Sequence, residues 1–241
     1  MTKPLQLKNH YEIDGIAYPR ITTVCGFIDQ KGGLPIWAAK LGFEAALNGG
    51  ESGYEAYQKE LDRTSNFGSA IHHEIANYFE TGNMVFDGMT IPIQNVIRQF
   101  LNWKQENSVE LVSSDALVYS QRLKVAGTLD LLCLLNGCLT LIDFKTSSDF
   151  HPSMLTQPAG YDICLRENGL IKYGEHDTTP VEVVQYGILR LPREGDKFEC
   201  LLINHNLEEL RNAFFTCKQI FDYSEKTKNI LKEAKKEMRN R

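Results

Sequence analysis

No stretch of this sequence approaches the roughly 18 uninterrupted apolar residues that cross a bilayer. The opening MTKPLQLKNH also lacks the apolar segment of a secretory signal. Both absences predict a protein that works in the cytoplasm and is not secreted. The six cysteines, Cys25, Cys133, Cys138, Cys164, Cys200 and Cys217, form no C-x-x-C pair and no cluster. The usual spacings of zinc and iron–sulfur sites are therefore missing, and reduced, buried thiols are expected. No P-loop G-x-x-x-x-G-K-[ST] occurs, so any coupling to a nucleotide-driven motor would need a separate partner. Internal repeats and low-complexity segments are absent as well. Nor is there an excess of positive charge. The net charge of −5 argues against a protein that coats nucleic acid by charge alone. The charge is uneven, however. Seven Lys and Arg residues against two Glu give the segment 226–241 a local net of +5, leaving −10 for the rest. Such a segment reads as a solvated helix end or as a phosphate-contacting arm.

What is present suffices for one sizeable core: 241 residues, 42% hydrophobic and 24% charged. Pro35 opens a helix to about residue 47, with Trp37, Leu41 and Ala45 on one face and Asn48-Gly49 as the stop. Ser52 and Glu55 have capping-box spacing for a second helix, and a third is expected from about Asn66 to Glu80, before Gly82. Pro92 begins a fourth, whose apolar face is Ile93, Val96, Ile97, Phe100 and Trp103. From Val109 the pattern turns β-branched and apolar, and residues 109–119, 123–135 and 138–145 read as strands. A helix near 156–168 ends at Asn168-Gly169. Strands follow at about 181–191 and 197–204, and Asn206 with Glu209 has the spacing to cap a last helix. The order predicts an α/β fold: a mixed sheet flanked by helices, with an N-terminal helical layer. One domain over residues 1–241 is expected, with the helical layer at about 18–107, the α/β core at 108–222 and the basic tail at 223–241.

The most informative stretch is GTLDLLCLLNGCLTLIDFKTSS, residues 127–148. Asn136-Gly137 between two apolar runs is a strong hairpin signal, because a type I′ turn needs positive φ at both central positions. With that turn the facing residue numbers total 273, and Asp130 with Asp143 meets the condition. Like charges so opposed are destabilising, and Leu132, Leu134, Leu139 and Leu141 give their face an apolar character. A divalent cation would remove the penalty. Lys145, two residues after Asp143, falls on the same strand face. Two carboxylates suit a hard cation, Mg²⁺ or Mn²⁺, which polarises a phosphoryl oxygen and acidifies bound water, while the ammonium stabilises developing charge. The alternative is plain ion pairing of Lys145 with Asp130 and Asp143 at a strand end.

Gly127-x-x-Asp130 followed by Ile142-Asp143-Phe144-Lys145-Thr146 resembles the core signature of the PD-(D/E)XK nuclease superfamily, in its RecB-type branch. Within it the likeness is to mitochondrial genome maintenance exonucleases and their phage and bacterial relatives, beginning at Tyr18-Pro19-Arg20-Ile21-Thr22. Gly68-Ser69-Ala70-Ile71-His72 is similar to the branch's G-x-x-x-H helix, which implies His72 at the metal; the adjacent His73 competes for that role. Gln157-Pro158-Ala159-Gly160-Tyr161 is similar to its Q-x-x-x-Y motif, which implies that Gln157 orients the lysine or the substrate and that Tyr161 contacts DNA. Pro158 is expected in the first helical turn, where it is tolerated. Ala76 stands where relatives often carry an acid, so that role is absent or passes to Glu74. Asp115 stands where relatives often have Glu and reads as an outer-shell acid.

The resemblance thus implies a restriction-endonuclease-like core and a Mg²⁺- or Mn²⁺-dependent deoxyribonuclease. In it His72, Asp130 and Asp143 would hold metal, and Asp130, Asp143, Lys145 and Gln157 would serve catalysis. Its substrate would be DNA, single-stranded or with free ends, in phage or bacterial replication, recombination or repair, beside a helicase, recombinase or single-strand-binding protein. Exonuclease action is the leading expectation and a structure-specific flap endonuclease another. From a different class, the same fold could serve as a non-cleaving module that binds DNA ends or a partner. Trp37, Tyr54 and Tyr57 are candidates to stack bases, or to be core.

Overall fold

The structure, a computed structural model, describes residues 5–7, 9–29, 33–48, 52–172, 175–177, 179–193 and 198–240. Two Asx-Gly dipeptides set tight hairpins. Asn136 (φ 49°) and Gly137 (φ 84°) join β5 (Val125–Leu135) to β6 (Cys138–Lys145), as the turn chemistry requires. Asp14 (φ 49°) and Gly15 (φ 75°) do the same for β2 (His10–Ile13) and β3 (Ile16–Pro19). With β1 (Leu5–Gln6) these form a three-stranded antiparallel sheet that the expected helical layer did not include. Its Tyr11, Ile13 and Tyr18 pack on Tyr119 and Ala126.

The main sheet is mixed and flanked by helices, in the order β10 (Glu199–Ile203), β9 (Gln185–Arg190), β6, β5, β4 (Val109–Ser120), β7 (Leu170–Lys172), β8 (Glu175–Asp177). β4, β5 and β6 form an antiparallel meander. The chain then crosses through α5 (Pro152–Asn168) and returns as β9, parallel to β6, with β10 antiparallel outside it. Two short strands, β7 and β8, lie at the opposite edge. Residues 181–184, expected as strand, are not.

One face of the sheet is covered by α3 (Gly53–Thr81) and α4 (Ile91–Glu106) through Phe67, Ile71, Ile75, Ile97 and Phe100. The other face is covered by α1 (Ile21–Cys25), α5 and α6 (Leu207–Arg239) through Ile21, Val24, Cys164, Leu165 and Phe214. α3 is one helix of 29 residues. Nothing between its two expected halves is Gly or Pro, so nothing stops it, and the Ser52–Glu55 capping box forms at its start. α2 (Gly33–Leu47) precedes it, crossing so closely that a Cβ at Gly53 would lie 2.8 Å from the Gly42 Cα. Gly49 of the expected stop lies outside the described residues.

α5 begins at Pro152, which the reading from 156 missed. Pro158 therefore sits in the helix interior, in the second turn rather than the first, where it removes the bond that Met154 would accept. Asn206 has φ 56° and makes no side-chain cap, so the box with Glu209 is not formed. The basic segment is no separate tail but the continuation of α6, and its residues 225–240 are all exposed. Among the described residues no helix is long and apolar enough to cross a membrane.

Candidate active site

The two aspartates sit where β5 and β6 part. The ladder runs from Leu135 opposite Cys138 to Leu131 opposite Ile142, in the register the turn dictates, and ends one pair before Asp130 and Asp143. At that point Asp130 Oδ2 accepts the Phe144 N–H at 2.8 Å, so a side chain replaces a backbone carbonyl in the ladder. Asp143 meanwhile pairs with Ile188 of β9. On the other flank the pairs Ser114–Leu131 and Ala116–Leu129 bracket Asp115 and Asp130. Asp115 takes φ 48°, a left-handed conformation that costs a non-glycine residue about 1 kcal/mol or more. The strand's alternation breaks there: Leu129 packs into the core under α5, whereas Leu131 packs into the opposite core under α3 and α4. This local irregularity turns Asp130 into the cleft instead of leaving it in a regular ladder.

Six side chains from four elements then converge in two bonded groups, Asp143, Lys145, Gln157 and Tyr161 in one and His72 with Asp130 in the other. On β6, Lys145 forms an ion pair with Asp143, which is 1% exposed. Gln157 of α5 bridges the pair, accepting from Lys145 Nζ at 3.0 Å and donating through Nε2 to Asp143 Oδ1. The same Nε2 donates to Tyr161 OH at 2.9 Å, one helical turn on. From α3, His72 Nδ1 lies 2.9 Å from Asp130 Oδ1, while His73 is exposed. Glu74, the substitute acid, has no hydrogen bond or ion pair to either group among the described residues.

Burial is the largest influence on Asp143 and, with repulsion from Asp130, raises its pKa to about 6 against the pull of Lys145. For Asp130 burial also acts upward, but His72, Lys145 and the Phe144 N–H together outweigh it and hold the carboxyl low. His72 and Lys145 show the converse: burial acts to lower each, and the neighbouring carboxylates raise both. Burial raises Tyr161 strongly, keeping its phenol protonated. Asp115, raised by burial and by Asp130, belongs to the same field.

Glycines permit this convergence. A Cβ at Gly68 would stand 3.2 Å from Thr146 Oγ1, so α3 rests close on the end of β6. One at Gly127 would stand 2.6 Å from Tyr161 Cε1, so Tyr161 packs close against β5. Past Lys145, the loop is held by Arg190, which donates to the Ser148 carbonyl at 2.8 Å and is paired with Glu199.

His72, Asp130, Lys145, Gln157 and Tyr161 line a cleft of about 290 Å³, whose wall also includes Tyr11, Arg20 and Thr128, while Asp143 is buried outside its lining. Tyr11 and Arg20 were assigned no role in the sequence; the Asp14-Gly15 turn signal would have placed Tyr11 in a hairpin. Trp37 and Tyr57 pack edge-on at 5.5 Å across α2 and α3, whereas Tyr54 is 72% exposed.

The three expected ligands are not assembled as a set. Among the described residues no group of three or more His, Cys, Asp or Glu is arranged to hold a metal ion. The reason is local: His72 is spent on Asp130, Asp130 also on a backbone amide, and Asp143 on Lys145 and Gln157. The donors nevertheless suit a divalent cation in kind. Asp143 Oδ2 is buried and faces the Lys145 ammonium, so a positive charge already stands where two adjacent carboxylates need one. No protein-family model matches the chain, and no curated protein matches it by sequence.

Proposed function

We propose that the chain is a Mg²⁺- or Mn²⁺-dependent nuclease of the PD-(D/E)XK type, hydrolysing phosphodiester bonds of DNA as an exonuclease. The observation that carries the reading is the convergence of Asp130, Lys145 and Gln157 in the lining of one cleft, with the buried Asp143 ion-paired to Lys145 and hydrogen-bonded to Gln157. A bound cation, held by Asp130 and Asp143, would polarise the scissile phosphate and acidify the attacking water.

The chain's own groups have distinct tasks. Lys145 stays protonated and places its ammonium beside Asp143, ready to stabilise charge developing on phosphoryl oxygen. Gln157 fixes the orientation of both, because its carbonyl accepts from the ammonium while its amide donates to the carboxylate. Tyr161, kept neutral by burial, terminates this line of hydrogen bonds on the side of the cleft. His72 holds Asp130 through Nδ1.

A non-cleaving binding module is the second reading, favoured by the contacts that Lys145, Gln157 and His72 already make to the two aspartates. End-labelled single- and double-stranded DNA incubated with Mg²⁺, Mn²⁺ or EDTA separates the two. The parent is expected to degrade DNA only with metal, and Asp143→Ala and Lys145→Ala to lose this activity. Intact substrate at every metal concentration, with DNA still bound, would replace the nuclease with the module.

A further inference from the structure

Arg20 has an unmet demand. Arg20 lines the same cleft as Asp130, Lys145 and Gln157. Nη2 donates to the Leu7 carbonyl at 3.0 Å, and the guanidinium carbon stands 5.5 Å from the centre of the Tyr11 ring. Tyr11 is itself pinned by a 3.0 Å hydrogen bond between its hydroxyl and Thr128 Oγ1 on β5. The arginine is therefore held from two sides, yet Nε is buried without any hydrogen-bond partner, and no carboxylate pairs with the side chain among the described residues. A donor of a charged group shut from water and left unused is strongly unfavourable. A planar guanidinium fork without a counter-ion matches the oxygens of a phosphate.

We infer that Arg20, steadied by Tyr11 and the Leu7 carbonyl, forms a second phosphate subsite beside the reaction centre. It takes a phosphate of the substrate strand other than the one being cleaved. This rests on the nuclease reading, which identifies the strand as DNA. Lys145 already serves the carboxylate pair, so a phosphate at Arg20 meets a different cation and does not compete with the scissile group. The substrate class follows: strands carrying at least two phosphates within the cleft, with Arg20 fixing where the chain lies relative to Asp143.

The test is binding, read without cutting. Fluorescence anisotropy in EDTA compares the parent with Arg20→Gln and Arg20→Lys on labelled ten-nucleotide strands bearing a 5′-phosphate, a 3′-phosphate or neither, over a series of salt concentrations. Arg20→Gln is expected to bind about ten-fold more weakly. Its slope of log K against log salt should be shallower by about 0.7. Arg20→Lys keeps the charge and loses the fork, so it should keep the slope and lose affinity; it also stands in if the glutamine variant fails to fold. A loss confined to strands with a terminal phosphate assigns the subsite to a chain end, and an equal loss on all three assigns it to an internal phosphate. Unchanged affinity in both variants overturns the subsite while leaving the nuclease reading intact. Arg20-dependent binding by a parent that never cuts overturns the nuclease reading and leaves the subsite. A parent that binds no strand overturns both.

Discussion

Gly160 sets helix propensity against packing. Alanine there would favour the helix by about 0.5–1 kcal/mol. Its Cβ, however, would stand 2.6 Å from Phe214 Cε2 and 2.9 Å from Ile21 Cγ2, and overpacking of that kind costs about 1–3 kcal/mol. Gly160→Ala should therefore lower stability in urea denaturation by about 1–2 kcal/mol; a gain would mean that Phe214 relaxes freely. His72 gives a prediction with a sign in pH. Its pKa is raised in the folded state, chiefly by Asp130 against the opposing effect of burial. The stabilisation it provides is thus complete below its unfolded value of about 6.5 and disappears as pH rises through the folded value. In EDTA, thermal melts of His72→Gln should fall furthest below the parent near pH 5.5 and converge on it at pH 9. A difference that grows with pH would falsify the ion pair.

Among the elements, α5 carries the greatest demand for accuracy, since it presents Gln157 and Tyr161 while buried on all sides from Thr156 to Leu165. Its register is locked from beneath by Asp162, fully buried, which accepts from Arg211 of α6 at 2.7 Å, from Tyr186 OH of β9 at 2.6 Å and from Arg166 at 3.0 Å. Breaking a buried pair of this kind costs about 3–5 kcal/mol, so Asp162→Asn should destabilise severely. Tyr186→Phe, which removes one hydrogen bond to a charged group, should cost about 1.5–3 kcal/mol. Calorimetry on both variants and the double variant checks the coupling. The helix itself was legible from its Asn168-Gly169 end, but its start and the place of Pro158 were not, because uniform burial erases the amphipathic period that marks a helix. The β5–β6 register was legible from two turn residues. The parting of the strands at Asp130 was not, because it depends on Asp115 and on the competing pull of β9, both distant in sequence. The ion pair of Lys145 with Asp143 was among the readings of the sequence, but the bonds of Asp130 to His72 and to the Phe144 amide were not, because they depend on how α3 and the end of the ladder meet.

For the molecule as a whole, the two bonded groups together span β5, β6, α3 and α5, so anything that binds them selectively stabilises the fold. A divalent cation binding only the folded chain adds about 2.7 kcal/mol at a hundred times its Kd. The melting temperature should therefore rise with Mn²⁺ or Mg²⁺ and return with EDTA, and should not rise when Asp130 and Asp143 are both asparagine. An equal rise in that double variant would place the cation elsewhere. The exposed end of α6 should contribute little to this fold. Residues 225–239 are all exposed, so truncation after Ser224 should leave the melting temperature within about 2 °C of the parent's. If it also weakens DNA binding in a salt-dependent way, the basic helix end is an arm for phosphates.

Where β5 and β6 part, the amide of Phe144 is donated to a carboxylate rather than to a peptide carbonyl. Its proton therefore feels the charge of Asp130 directly. In a nuclear magnetic resonance spectrum the Phe144 cross-peak should shift when Asp130 is protonated, and again when a cation draws on that carboxylate. One backbone signal, available without any substrate, thus reports the charge held at the centre of the cleft.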